Sequence, residues 1–213
     1  MRVKICGLRD EAGLEAACAA GADAVGFVFA PSPRRVSLRE ARALLRLVPA
    51  GIERVAVFAR ATRAELAAAL ALDVDALQAE LDSDWPPLSG DQFALPVLRD
   101  GAELEARAHA LDRITPRPDS LRGAFVLDGH LGGGQGVPVD VARARRLAAL
   151  RLLVLAGGLT PANVAARIRA VRPFAVDVSS GVERLRGEKD PALVHAFVRA
   201  VRALAEEETE ATT

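Results

Sequence analysis

The chain has 213 residues, and its 28 Lys and Arg balance 28 Asp and Glu to a formal net charge of zero, so it lacks the basic footprint that phosphate-backbone binding needs. Nucleic acid is therefore not an expected partner. With 51% hydrophobic and 26% charged residues the chain can bury a sizeable core and does not read as disordered. No secretory leader pattern and no run of about 18 uncharged apolar residues occurs, and two cysteines, Cys6 and Cys18, are too few for a disulfide scaffold. The expectation is a cytoplasmic protein with no membrane partner. Lys occurs only at Lys4 and Lys189, a bias read first as genomic.

Short β-branched and aromatic runs alternate with Ala/Leu/Arg-rich stretches of helical period. In chain order the reading predicts a strand over Val3–Cys6, a helix over Glu11–Ala20, a strand over Ala24–Phe29 and a helix over Leu38–Leu47. It continues with a strand over Arg54–Phe58, a helix over Arg63–Leu72, strands over Ala76–Gln78 and Phe93–Leu98, and a helix over Gly101–Leu111. The last third predicts strands over Ala124–Leu127, Leu152–Ala156 and Ala175–Val178, with helices over Val139–Leu150, Pro161–Val171 and Pro191–Glu206. Thr160-Pro161 and Asp190-Pro191 both read as an N-cap followed by Pro at the first helical position. Glu80–Gln92 and Asp112–Ser120, each with prolines, read as loops. Eight strands over 213 residues, about 27 per unit, suit a single (β/α)8 barrel with a closed parallel sheet, the range of which begins near ~200 residues. The barrel domain is expected over 1–205, with 206–213 as a flexible tail. A flavodoxin-like open sheet usually needs only five parallel strands.

In a closed parallel barrel the reacting groups sit at the C-terminal strand ends and in the loops that follow. The first strand ends in Cys6-Gly7, a thiol at the mouth, although most free cysteines are small buried hydrophobes. The sixth ends in Asp128, ahead of Gly132-Gly133-Gly134-Gln135-Gly136, and an Asp there also serves as a loop cap. Since both strands open onto one mouth, Cys6 and Asp128 can face a ligand as an acid–base pair. Gly157-Gly158 after strand seven and Ser180-Gly181 after strand eight lie where barrels commonly bind phosphate with backbone N–H groups; tight turns and Ser caps are the plainer reading. Asp177, just before, is a candidate to support the ligand site. Arg34-Arg35, in a Pro-rich loop after strand two, can grip a carboxylate or be a solvated pair. His109, His130 and His195 show no metal-ligand spacing, so no metal is expected.

Taken together, the segments Val3–Gly7, Gly21–Phe29 with Pro33–Ser37, Arg54–Phe58, Leu127-Asp128, Leu155–Val164 and Arg172–Glu183 resemble phosphoribosylanthranilate isomerase, a family of tryptophan biosynthesis. The resemblance runs in order from the first strand to the last. It departs at Gln78-Ala79-Glu80-Leu81, where the family usually reads Gln-Leu-His-Gly, and at Pro96–Arg99, which lacks the expected Ile-Lys-Ala. The resemblance implies an Amadori rearrangement of N-(5'-phosphoribosyl)anthranilate without cofactor or metal. It assigns Asp128 as general acid, Cys6 as general base with a depressed pKa, Arg34 as the contact for the anthranilate carboxylate, and Gly157, Gly158, Ser180 and Gly181 as the phosphate site. The expected partner is a phosphorylated small molecule, with the protein a monomer or homodimer. Two rival readings are another phosphosugar isomerase or epimerase on the same scaffold, and a barrel that binds a phosphorylated ligand without turning it over.

Overall fold

A computed structural model describes residues 1–113, 121, 123–129 and 136–210. Eight parallel strands close into a barrel in sequential order: β1 (Arg2–Cys6), β2 (Ala24–Val28), β3 (Glu53–Val57), β4 (Ala76–Glu80), β5 (Phe93–Arg99), β6 (Phe125–Asp128), β7 (Leu153–Leu155) and β8 (Ala175–Val178). Closure follows from β1 pairing with both β2 and β8, with Lys4 opposite Ala24 on one side and Asp177 on the other. The helices are α1 (Glu11–Ala19), α2 (Leu38–Leu45), α3 (Arg63–Leu70), α4 (Leu104–Ala108), α5 (Val141–Ala148), α6 (Val164–Val171) and α7 (Pro191–Glu210).

Alternation along each strand sorts residues into two buried layers, because successive side chains point to opposite faces. Ile5, Val25, Phe27, Ala56, Leu77, Phe125, Leu127 and Val176 pack outward against the helices. Val55, Val57, Leu95, Val97, Val126 and Val154 fill the interior. Both faces are thus dry, which is why the strands read as nearly continuous apolar runs. A charged residue on an inward position is the exception, and Lys4, Asp128 and Asp177 are all buried.

All eight expected strands form, with ends shifted by at most two residues. Three other expectations need correction. Helix α6 starts at Val164 rather than Pro161, because Asn163 shapes the turn: its Oδ1 accepts from Thr160 N–H at 2.8 Å and its Nδ2 donates to Gly158 O at 2.8 Å. Pro161 therefore lies in the turn. At Asp190-Pro191 the cap is as expected, with Asp190 Oδ1 accepting from Ala192 N–H at 2.8 Å. The predicted helix over Gly101–Leu111 is only α4 followed by a 3-10 turn over His109–Arg113. Beyond β8 the chain adds an unpredicted 3-10 turn, Ser180–Val182, and an antiparallel hairpin, β9 (Glu183–Leu185) with β10 (Glu188–Lys189). Helix α7 continues to Glu210, past the end expected at Glu206. His130, Gly132–Gln135 and most of the loop expected over Asp112–Ser120 lie outside the described residues, and so do 211–213. Among the described residues no helix is long and apolar enough to cross a membrane.

Candidate active site

The C-terminal mouth of the barrel opens onto a cavity of about 290 Å³. Cys6, Arg34, Asp128, Gly157, Gly158, Asp177 and Ser180 all line it. Residues from β1, β6 and β8 and from the loops after β2, β7 and β8 are thereby brought to one place. Gly181 is the exception among the expected residues and does not line it.

Cys6 ends β1, where Gly7 at φ +78° turns the chain and donates its N–H to Gly26 O at 2.9 Å. Two positions earlier on the same inward face, Lys4 is 1% exposed and donates from Nζ to both Asp177 oxygens at 3.0 Å. Gly26 on β2 leaves room for this arrangement, since a Cβ there would lie 3.1 Å from both Cys6 Sγ and Lys4 Nζ. Burial acts against the Lys4 ammonium, but Asp177 and Cys6 outweigh it and hold its pKa above the ordinary value.

The thiol departs from expectation. Burial pushes the Cys6 pKa up, and Lys4 and Lys189 oppose this without reversing it. The electropositive setting exists, but Lys4 is committed to Asp177, and that carboxylate itself raises the thiol further. The scarcity of lysine, which the sequence suggests is genomic, has a structural counterpart: in a chain that otherwise uses Arg, both lysines are buried beside this cavity. A compact ammonium on a flexible stem fits where a forked guanidinium does not.

The second lysine belongs to a ring around Arg34. Lys189 Nζ donates to Ser179 O at 3.0 Å and to Glu183 Oε1 at 2.8 Å. Glu183 also accepts from Arg34 Nε at 2.7 Å and from Nη2 at 2.8 Å, a bidentate pair. Despite its burial Glu183 is held below the usual carboxylate range by Arg34 and Lys189. Burial lowers Lys189 in spite of Glu183. The pairing uses the Nε edge of Arg34 and leaves Nη1 without a bond among the described residues. Arg35 pairs through its backbone, in a bridge to Val28, and has an exposed side chain.

Asp128 ends β6, with Oδ1 accepting from Gly129 N–H at 2.8 Å and Oδ2 from Arg99 Nη1 at 2.6 Å. The apolar wall includes Val28, Val57 and Phe58, and Phe58 stacks on Phe29 with ring centroids 5.2 Å apart. Gln78 on β4 also lines the cavity and has a buried Oε1 without a hydrogen-bond partner among the described residues. An unmet buried acceptor of this kind suits a hydrogen-bond donor on a ligand.

The glycines at the expected phosphate site are required by space. Gly157 and Gly158 have φ of +82° and +65°, and a Cβ on either would come within 2.6 and 2.7 Å of the carbonyl oxygens of Val137 and Gly136. A Cβ on Gly181 would lie 1.8 Å from Leu159 O, so the loops after β7 and β8 touch backbone to backbone. Gly181→Ala must push them apart. The expected result is a loss of about 2–4 kcal/mol, lowering Tm by roughly 5–15 °C for a chain of this size, together with a raised KM for a phosphorylated substrate. Thermal denaturation and steady-state kinetics check both, and an unchanged Tm would show that the loops do not touch as described.

The cavity brings together a thiol, a carboxyl group, a guanidinium and two glycine-rich turns, and so suits a small ligand with anionic groups. Comparison with known proteins bears on which ligand that is. The family model described as N-(5'phosphoribosyl)anthranilate (PRA) isomerase matches residues 3–200. An enzyme of that name from Pseudomonas aeruginosa strain LESB58 is 39% identical, covering 98% of this chain and 99% of its own. A solved phosphoribosyl anthranilate isomerase from Thermus thermophilus superposes with a TM-score of 0.80 at 30% identity over 96% of this chain and 100% of its own. A further structure of such an isomerase, holding reduced 1-(o-carboxyphenylamino)-1-deoxyribulose 5-phosphate, gives a TM-score of 0.77 at 30% identity and covers 95% of this chain and 99% of its own.

Proposed function

The chain belongs to the N-(5'-phosphoribosyl)anthranilate isomerase family, and from that premise we propose how its residues divide the reaction. The enzyme converts N-(5'-phosphoribosyl)anthranilate to 1-(2-carboxyphenylamino)-1-deoxyribulose 5-phosphate, an aldose–ketose isomerisation in tryptophan biosynthesis. One barrel domain over 1–205 carries the activity, as a monomer or homodimer, in the cytoplasm. The observation that carries the assignment of roles is that Cys6 and Asp128 line one cavity together with Arg34, Gly157, Gly158 and Ser180.

Asp128 delivers a proton to the furanose ring oxygen, the C1'–O bond breaks, and a Schiff base with the anthranilate nitrogen forms. Cys6, as thiolate, removes the C2' proton and leaves an enolamine. A proton then enters at C1' while the 2'-hydroxyl becomes the ketone, so every proton taken up is returned and no electrons leave the substrate. A base that is difficult to ionise is present in small amount but takes a carbon-bound proton readily once formed. Lys4 stands beside the sulfur as the cation that steadies the thiolate.

Backbone N–H groups of Gly157, Gly158 and Ser180, with Gly181 packing their loops together, hold the phosphate. Asp177 supports the site by anchoring Lys4. Arg34 keeps Nη1 for the anthranilate carboxylate, and Phe58 offers the ring an apolar wall. Fixing both ends sets the sugar between acid and base. Arg34→Gln is expected to raise KM about 10–100-fold, the range for a lost charged contact, with kcat changed far less. An unchanged KM would remove Arg34 from the carboxylate site. The reaction itself is tested by following anthranilate fluorescence on substrate generated in situ: the wild-type protein accelerates its loss, and decay at the spontaneous rate would contradict the assignment.

A further inference from the structure

The inward positions at the ends of three successive strands carry Glu80 on β4, Arg99 on β5 and Asp128 on β6. Arg99 and Asp128 are direct register partners. Arg99 donates from Nε to Glu80 Oε1 at 2.8 Å, from Nη2 to the same oxygen, and from Nη1 to Asp128 Oδ2 at 2.6 Å. The side chains are 21%, 16% and 12% exposed for Arg99, Glu80 and Asp128, so water screens these charges only in part. Arg99 and Asp128 line the cavity, whereas Glu80 does not.

The single bond that Arg99 makes to Asp128 can orient the carboxyl only if the guanidinium is itself held. Glu80 takes the Nε edge and leaves one Nη1 donor for Asp128, which aims the carboxyl without a bidentate lock. Residues 80, 99 and 128 thus form one chain of bonds across the ends of β4, β5 and β6.

We propose that Glu80 is a positioning residue of the isomerisation, acting through Arg99 to hold Asp128 in place. This rests on Asp128 being the general acid. Glu80→Gln preserves shape and weakens the hold on Arg99 by removing the charge. It is expected to lower kcat about tenfold with KM within about twofold, and in an Arg99→Gln background the same change is expected to alter kcat by less than about twofold, since the group it acts through is gone. Glu80→Asp, which restores the charge, is expected to recover part of the loss.

A kcat unchanged by Glu80→Gln, or an equal loss with and without Arg99, would overturn the proposal. So would an effect confined to KM. Matching Tm values across the set ensure that folding is not what is being read. Asp128→Asn measured alongside separates the two assignments. If it retains wild-type kcat, the acid is misassigned; if it collapses while Glu80→Gln behaves as wild type, only the positioning role fails.

Discussion

Cys6→Ala is expected to lower kcat by about 10²–10⁴-fold, the usual contribution of a positioned base, with KM little changed because the sulfur holds neither end of the substrate. The substitution leaves the surroundings intact: Lys4 keeps both contacts to Asp177, so no charge is stranded. Steady-state fluorescence kinetics checks the loss, and a near-wild-type kcat would remove the thiol from the chemistry. The same residue sets a pH dependence. Burial pushes the Cys6 thiol up, and only the thiolate is alkylated. It follows that the rate at which an alkylating agent inactivates the enzyme through Cys6 rises with pH and levels off only above the ordinary thiol range of about 8–9. A rate that levels off near neutrality would mean that the thiolate is stabilised beyond what Lys4 provides.

Asp128→Asn is the second large effect, again about 10²–10⁴-fold in kcat, since the amide cannot supply the proton that opens the ring. Here some structural cost is expected as well. Both carboxyl oxygens accept bonds, one from Gly129 N–H and one from Arg99, and the amide offers only one acceptor, so one donor loses its partner at a cost of roughly 1 kcal/mol. Binding of a reduced product analogue, read by thermal shift, is expected to survive. Loss of both binding and turnover would indicate a collapsed site rather than a missing acid.

Much of this was legible along the chain because a parallel barrel imposes a simple pattern. Its strands are dry on both faces, so an apolar run that ends in Asp128 or Cys6 identifies a mouth residue, and the glycines at 157, 158 and 181 mark places where backbones meet. What escaped the reading is pairing across strands. Lys4 lies two positions before Cys6 and shares its face by the period of two, yet its partner Asp177 is on β8, brought alongside only by closure of the barrel. Glu80 and Arg99 looked like departures from a family pattern taken singly, and become one unit only when β4, β5 and β6 are set in register. The hairpin β9–β10 was missed because its strands have only three and two residues, too short for alternation to show. Its Lys189 and Glu183 nevertheless fix Arg34.

The height of the Cys6 pKa was misjudged for a related reason. Sequence shows which charges can be near, but not that Lys4 is already spent on a carboxylate nor that the thiol is 7% exposed. Desolvation then prevails over a cation with a competing partner.

The division of labour between Cys6 and Asp128 is tested most directly with substrate deuterated at C2', the carbon whose hydrogen the base removes. In Cys6→Ser, a weaker base in the same position, proton abstraction becomes limiting and the residual rate is expected to show a primary isotope effect. In Asp128→Asn ring opening becomes limiting, and the deuterated and protiated substrates are expected to react alike. The opposite pattern, with the isotope effect in Asp128→Asn and none in Cys6→Ser, would contradict the assignment by exchanging the two roles.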